Sequence, residues 1–106
     1  MPKDNSQTTP ASIRLFEHKG ETSRFIDAEL NEKGDLLIFG QDIGKAPLET
    51  WGDTDYEFWV TVVKKDKDKV LLALIKKLYS GNPSAVDEFR NFCKSEEIQF
   101  TFETWT

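Results

Sequence analysis

The chain has 106 residues, of which 38% are hydrophobic and 31% charged, and its formal net charge is −5. That length sets a single domain with one core. One cysteine, Cys93, excludes an intrachain disulfide and any metal site built from several thiolates. The charge is uneven: residues 1–63 hold six Lys/Arg against twelve Asp/Glu, and residues 64–106 hold eight against seven. An acidic first half repels a phosphate backbone, so no nucleic-acid role is expected. It speeds encounter with a basic protein instead. No apolar run approaches the ~18 residues that suggest a membrane span. The polar start, Met1–Ala11, has no apolar signal core. With a lone thiol, these features point to a cytoplasmic protein without membrane association.

Residues 1–11 read as a disordered tail and residues 12–106 as one domain. Ser12 to His18 alternates weakly, with Ile13 and Leu15 on one side and Arg14, Phe16 and His18 on the other. It is expected to be a strand. Ser23 to Asn31 alternates well, with Ile26, Ala28 and Leu30 opposite Asp27, Glu29 and Asn31. Asn31 to Asp35 is a hairpin signal in which Gly34 suits a positive φ.

Leu36 to Phe39 is apolar on both faces and predicts a central strand. Gly40 interrupts it and suggests a bulge or a close backbone approach. The connection Lys45–Thr54 has room for one helical turn around Leu48–Trp51. Asp55 to Val63 is the clearest strand, with Tyr56, Phe58, Val60 and Val62 facing away from Asp55, Glu57, Trp59 and Thr61.

Asp66 or Asp68 can cap a helix over Lys69–Tyr79, where Val70, Leu71, Leu74, Ile75 and Leu78 form an apolar stripe. Gly81 suits its C-terminal end. Pro83 opens a second helix with Val86, Phe89, Phe92 and Cys93 on one face, capped by Asn82 or by Ser84 with Asp87. Ile98 to Trp105 alternates again and predicts a last strand. The resulting order, β-β-β-β-α-α-β, argues for an α+β fold: an antiparallel sheet of about five strands with two helices packed on one face. Its polar face would carry Asp27, Glu29, Asp55, Glu57 and Glu103, with Trp59 and Trp105.

The segment from Gly40 to Trp59 holds three of the six glycines, two of the three tryptophans and five carboxylates. Asp53, Asp55 and Glu57 would share one face of an extended chain, and oxygen clusters can bind a divalent cation. Counted from Asp53, however, the calcium-loop glycine and glutamate positions hold Phe58 and Lys64, so that motif is absent. Asp42 with Asp53 or Asp55 is the best pair for acid–base work, although Asp at a strand interruption usually bonds the local backbone. A Cys93–His18 nucleophile pair is disfavoured by the apolar setting of Cys93. Gly40 and Gly44 are not followed by the Gly-Lys-Ser/Thr of a phosphate loop. No catalytic residue, metal ligand or cofactor is therefore assigned. Trp51, Trp59 and Trp105 either pack under the 45–54 connection or form an exposed recognition patch.

The block Gly40-Gln41-Asp42-Ile43-Gly44, followed by Gly52-Asp53-Thr54-Asp55-Tyr56-Glu57-Phe58-Trp59, resembles a group of small bacterial proteins. These carry a GQDLG element and then a GDSDYEYW element. Lys69–Leu74 and Phe89 fit the same resemblance, which spans about residues 30–105. The group has no assigned activity, so the resemblance implies a fold and a functional surface at residues 40–59. Thr54 and Phe58 stand where the group has Ser and Tyr.

The leading expectation is a non-enzymatic protein-binding domain that presents Gln41, Asp42, Trp51, Asp53, Asp55, Glu57 and Trp59 to a basic protein. An immunity- or antitoxin-like role is its concrete form. The alternatives are a small-molecule or divalent-cation site beside Trp51 and Trp59, and an enzyme using the carboxylates of residues 42–57. The oligomeric state is open, since an exposed edge strand could pair with a second copy.

Overall fold

A computed structural model describes residues 12–106. The tail expected over Met1–Ala11 lies outside the described residues. The chain is α+β and separates into two compact units, with the boundary between Asp68 and Lys69.

The first unit is a four-stranded antiparallel sheet of simple hairpin order. Its strands are β1 (Ser12–His18), β2 (Thr22–Leu30), β3 (Leu36–Gly44) and β4 (Asp55–Val62). Helix α1 (Lys45–Trp51) joins β3 to β4. The β2–β3 hairpin closes through Asn31, whose Oδ1 accepts from the N–H groups of Lys33 at 3.0 Å and Asp35 at 2.9 Å. Gly34 takes φ +83° in that turn, as the sequence leads one to expect.

β3 runs through Gly40 without a break in register against either neighbour. The expected interruption is absent, and the glycine serves a close approach instead. A Cβ on Gly40 would lie 2.3 Å from Cε2 of Phe58, its partner on β4. The Phe58 ring lies across the strand where a side chain would otherwise stand. Arg24, from β2, sits over that ring, 5.4 Å from its centroid.

Because partners from β2 to β4 always share parity, for example Ile26–Gly40–Phe58, even residues form one face and odd residues the other. β1 departs from simple alternation. Its register shifts between Arg14 and Phe16, so Ile13 pairs with Ala28 and Phe16 with Ile26. This bulge brings Ile13 and Phe16 to the same face, against the expectation that they diverge.

Helix α1 spans two turns rather than the single turn expected. Its N-terminal Ala46 N–H donates to Thr22 Oγ1 at 2.9 Å, and Gly52 ends it in the left-handed region at φ +78°. Lys64 N–H donates to Asp35 Oδ1 at 2.8 Å, which ties the end of β4 to the hairpin turn.

The second unit holds most of α2 (Lys67–Tyr79), which follows a 3-10 turn over Lys64–Asp66, and all of α3 (Ala85–Ser95). The α2–α3 turn uses Asn82 as the cap: its Oδ1 accepts from Ser84 N–H at 2.8 Å and its Nδ2 donates to Glu88 at 3.0 Å. Ser84 itself makes no side-chain cap bond. Tyr79 meets Phe89 edge-on at 6.3 Å, and Cys93 is buried.

The fifth strand expected over Ile98–Trp105 does not form, and among the described residues the α-helices number three rather than two. The chain reverses at Glu97, at φ +58°, with Ile98 N–H bonded to Cys93 carbonyl at 2.9 Å. Phe100 and Phe102 then line a cavity of about 350 Å³ with Ile75, Phe89 and Cys93. The Arg90 guanidinium lies 3.7 Å from the Phe102 ring centre. Alternation there serves packing on helices rather than a ladder.

Gly40→Ala is expected to lower unfolding free energy by about 1–3 kcal/mol, the usual cost of an overpacked contact. Urea titration measures it. In a Phe58→Leu background the same change should cost less, because the clashing ring edge is gone. Equal costs in both backgrounds would show that the ring does not set the requirement.

Candidate functional site

The parity of β3 and β4 divides the residues picked out by sequence between two faces. Gln41, Asp55, Glu57 and Trp59 lie on the odd face. Asp42 lies on the even face, where Trp51 also reaches: its ring stacks on Tyr56 with centroids 5.1 Å apart. A single cleft bounded by Trp51 and Trp59 is therefore not formed. Neither is an Asp42–Asp55 carboxylate pair, since the two side chains leave opposite sides of the sheet.

On the even face Arg24 grips Asp42 with both ends of its fork. Nε donates to Oδ1 and Nη2 to Oδ2, each at 2.7 Å. The bidentate bond holds the Asp42 carboxyl below the ordinary carboxylate range and raises the Arg24 guanidinium. Asp42 thus bonds a side chain across the sheet rather than its local backbone.

Around β4, two of the acidic triplet, Asp53 and Asp55, are engaged locally. Asp53 Oδ1 accepts the Asp55 N–H at 3.1 Å, and Asp55 Oδ1 accepts from Gln41 Nε2 at 3.0 Å. Among the described residues no three His, Cys, Asp or Glu side chains converge to hold a metal ion. Cys93 is buried and His18 exposed.

The odd face carries a groove of about 450 Å³ lined by Asp27, Glu29, Leu37, Phe39, Glu57 and Trp59. Its floor is aromatic: the Trp59 ring stacks on Phe39 with centroids 6.3 Å apart and an interplanar angle of 26°. Trp59 is still 58% exposed, so much of the indole beside Phe39 stays open. Three carboxylates stand around it. Arg14 pairs with Asp27 and with Glu17, and it also lies over the Phe25 ring. Glu29 and Glu57 line the groove beside Trp59.

Sequence reasoning put Asp27, Glu29, Glu57 and Trp59 on one polar sheet face but counted only Glu57 and Trp59 as site residues, and it left out Leu37 and Phe39. The alternation did not say which residues of β2 and β4 are aligned across the sheet. The β2–β3–β4 register supplies that alignment, through Asp27–Phe39–Trp59 and Glu29–Leu37–Thr61. Trp105, which the alternation placed on the same face, belongs to the C-terminal segment and not to the sheet; it is 97% exposed.

Compared with family models, curated proteins and solved structures, the chain shows no match.

The Arg24–Asp42 bond makes stability depend on acid. A carboxyl with a lowered folded-state pKa contributes stability above its unfolded value, about 3.9, and that stability is lost as pH falls through the folded value. The wild type should therefore lose stability more steeply than Asp42→Asn as the solution is acidified below about pH 4. Urea midpoints across that range test it; parallel curves would remove Asp42 from the acid response.

Proposed function

We propose that this chain is a non-enzymatic protein-binding domain whose odd sheet face receives a basic segment of a partner. The carrying observation is the half-open Trp59 indole on Phe39, bordered by Glu57, Glu29 and Asp27. A Lys or Arg side chain laid over the exposed indole would gain a cation–π contact. The carboxylates beside it would meet the charge. An aromatic anchor ringed by polar groups is the usual composition of an interface centre and rim.

The net charge of −5 would add attraction at long range. In this reading the domain works in the cytoplasm and occludes a basic surface, as an immunity- or antitoxin-like protein does to a nuclease. The resemblance of residues 40–59 to small bacterial proteins belongs to the same reading. Trp51 and Asp42, on the even face, support the sheet rather than touch the partner.

The test is a fluorescence titration with an oligolysine peptide, using the Trp59 signal against a Trp51→Phe, Trp105→Phe background. Binding should weaken steadily as salt rises past about 0.1 M, where the screening length is about 10 Å. Glu29→Gln combined with Glu57→Gln should reduce affinity about tenfold or more. The effect of Trp59→Ala would be read by calorimetry, with a loss of the same order. Unchanged affinity in both variants would exclude the groove as the binding surface.

A further inference from the structure

The two edges of the sheet are built differently. β1 is interrupted by its bulge between Arg14 and Phe16 and carries the Arg14–Glu17 pair. Such features discourage further strand pairing. β4 is the opposite case. It is in unbroken register with β3 from Asp55 to Val62, and it contains no proline, glycine, lysine or bulge.

The hydrogen-bond phase shows which groups its outer edge presents. Gly44 N–H donates to Thr54 carbonyl at 2.7 Å, which makes Gly44–Thr54 a hydrogen-bonded pair. Antiparallel pairs alternate, so Tyr56, Phe58, Val60 and Val62 bond to β3. Asp55, Glu57, Trp59 and Thr61 then turn their N–H and C=O groups outward. The Lys45 N–H bond to Glu21 carbonyl, at 3.0 Å, fixes the same phase from the β2 side. The Asp55 N–H is already taken by Asp53. Among the described residues, the outward groups of Glu57, Trp59 and Thr61 remain without a partner strand.

We infer that these three residues form a self-complementary edge, and that β4 pairs antiparallel with β4 of a second copy about a two-fold axis at Trp59. In that register Trp59 faces Trp59 of the second copy, and Glu57 faces Thr61 in both directions. Every outward group of the three residues is then bonded. No carboxylate meets a carboxylate, since Asp55 falls opposite Val63. On the other face Phe58 meets Val60 and Tyr56 meets Val62, so apolar side chains meet across the junction. A register shifted to centre on Phe58 would set Asp55 against Thr61 and require Asp55 to give up its bond to Asp53. One centred on Val60 would leave Glu57 outside the paired strand. The product is one continuous eight-stranded sheet, an isologous contact that closes on itself. It is made through the backbone of β4, and the Trp59 side chain is shared between this junction and the acidic groove.

Sedimentation equilibrium of the full chain should give twice its 12.2 kDa mass. Thr61→Pro deletes only an outward N–H, so the β3–β4 ladder persists while the dimer weakens about tenfold or more. Trp59→Lys places two like charges at the axis and should act in the same direction. In a Cys93→Ala background, Glu57→Cys mixed with Thr61→Cys should cross-link on oxidation, while neither alone does. A wild type that stays monomeric to about 1 mM would overturn the inference. So would a dimer unaffected by Trp59→Lys, or cross-linking of a single-cysteine variant with itself. If Thr61→Pro fails to fold, Trp59→Lys and the cross-linking pair decide the matter. Glu29→Gln, which lies on β2, should leave the dimer intact while weakening oligolysine binding, so the two readings fail separately.

Discussion

Gly40 and Phe58 face each other at the middle of the β3–β4 ladder, and the rest of the first unit depends on their fit. The ring occupies the volume a Cβ would need, 2.3 Å from its ideal position. With that contact made, β3 stays straight through the glycine and holds register with β2 and β4 over its whole length. Parity then assigns every side chain to a face. A one-residue slip of β4 would move Trp59 to the Arg24–Asp42 side and Phe58 into the groove. The glycine is therefore less a break in the strand than the condition for keeping it in phase.

The two faces use charge in different ways. On the even face the Arg24–Asp42 fork spans β2 and β3, and Arg24 also lies near the Phe58 ring. That arrangement consumes the charge of Asp42 in support of the sheet. On the odd face, among the described residues, Asp27 alone of the three groove carboxylates has a cationic partner, Arg14. Glu29 and Glu57 flank an indole much of which stays open. A paired carboxylate mainly fixes geometry, whereas these two also attract from a distance. Ion pairing thus engages Asp42 on one face and Asp27 on the other, while Glu29 and Glu57 line the groove beside Trp59.

The same strand, β4, carries both the groove side chains and the outer edge. Its odd residues project side chains into the odd face and direct their backbone groups away from β3. This follows from antiparallel geometry, in which the hydrogen-bonding direction alternates with the same period as the side chains. Pairing at the edge would therefore bring two acidic grooves together across the Trp59 axis.

Much of the fold was legible in the linear pattern. Period-two alternation marked β2 and β4, the Asn31–Asp35 turn marked their hairpin partner, and the apolar stripe of Val70–Leu78 marked α2. Those signals are local, and the elements formed where they lie. The C-terminal alternation of Ile98–Trp105 was equally regular and produced no strand, because alternation states only that one side is apolar. Phe100 and Phe102 spend that side on the helical unit, steered by the reversal at Glu97. The bulge in β1 and the length of α1 were hidden for a related reason: both are set by neighbours, Ile26 in one case and Thr22 in the other.

For the site, sequence alone determined that residues 40–59 concentrate carboxylates and indoles, and that no calcium-loop or phosphate-loop spacing is present. Only the tertiary structure decided that this cluster is divided by the sheet. It sent Asp42 and Trp51 to one face and Glu57 and Trp59 to the other, and it set Phe39 between Trp59 and Asp27, which the alternation had already put on the polar face. The reason is geometric. Composition fixes which groups a segment owns, but the face on which each one acts is fixed by the register of the ladder, and register is a property of paired strands rather than of any one of them.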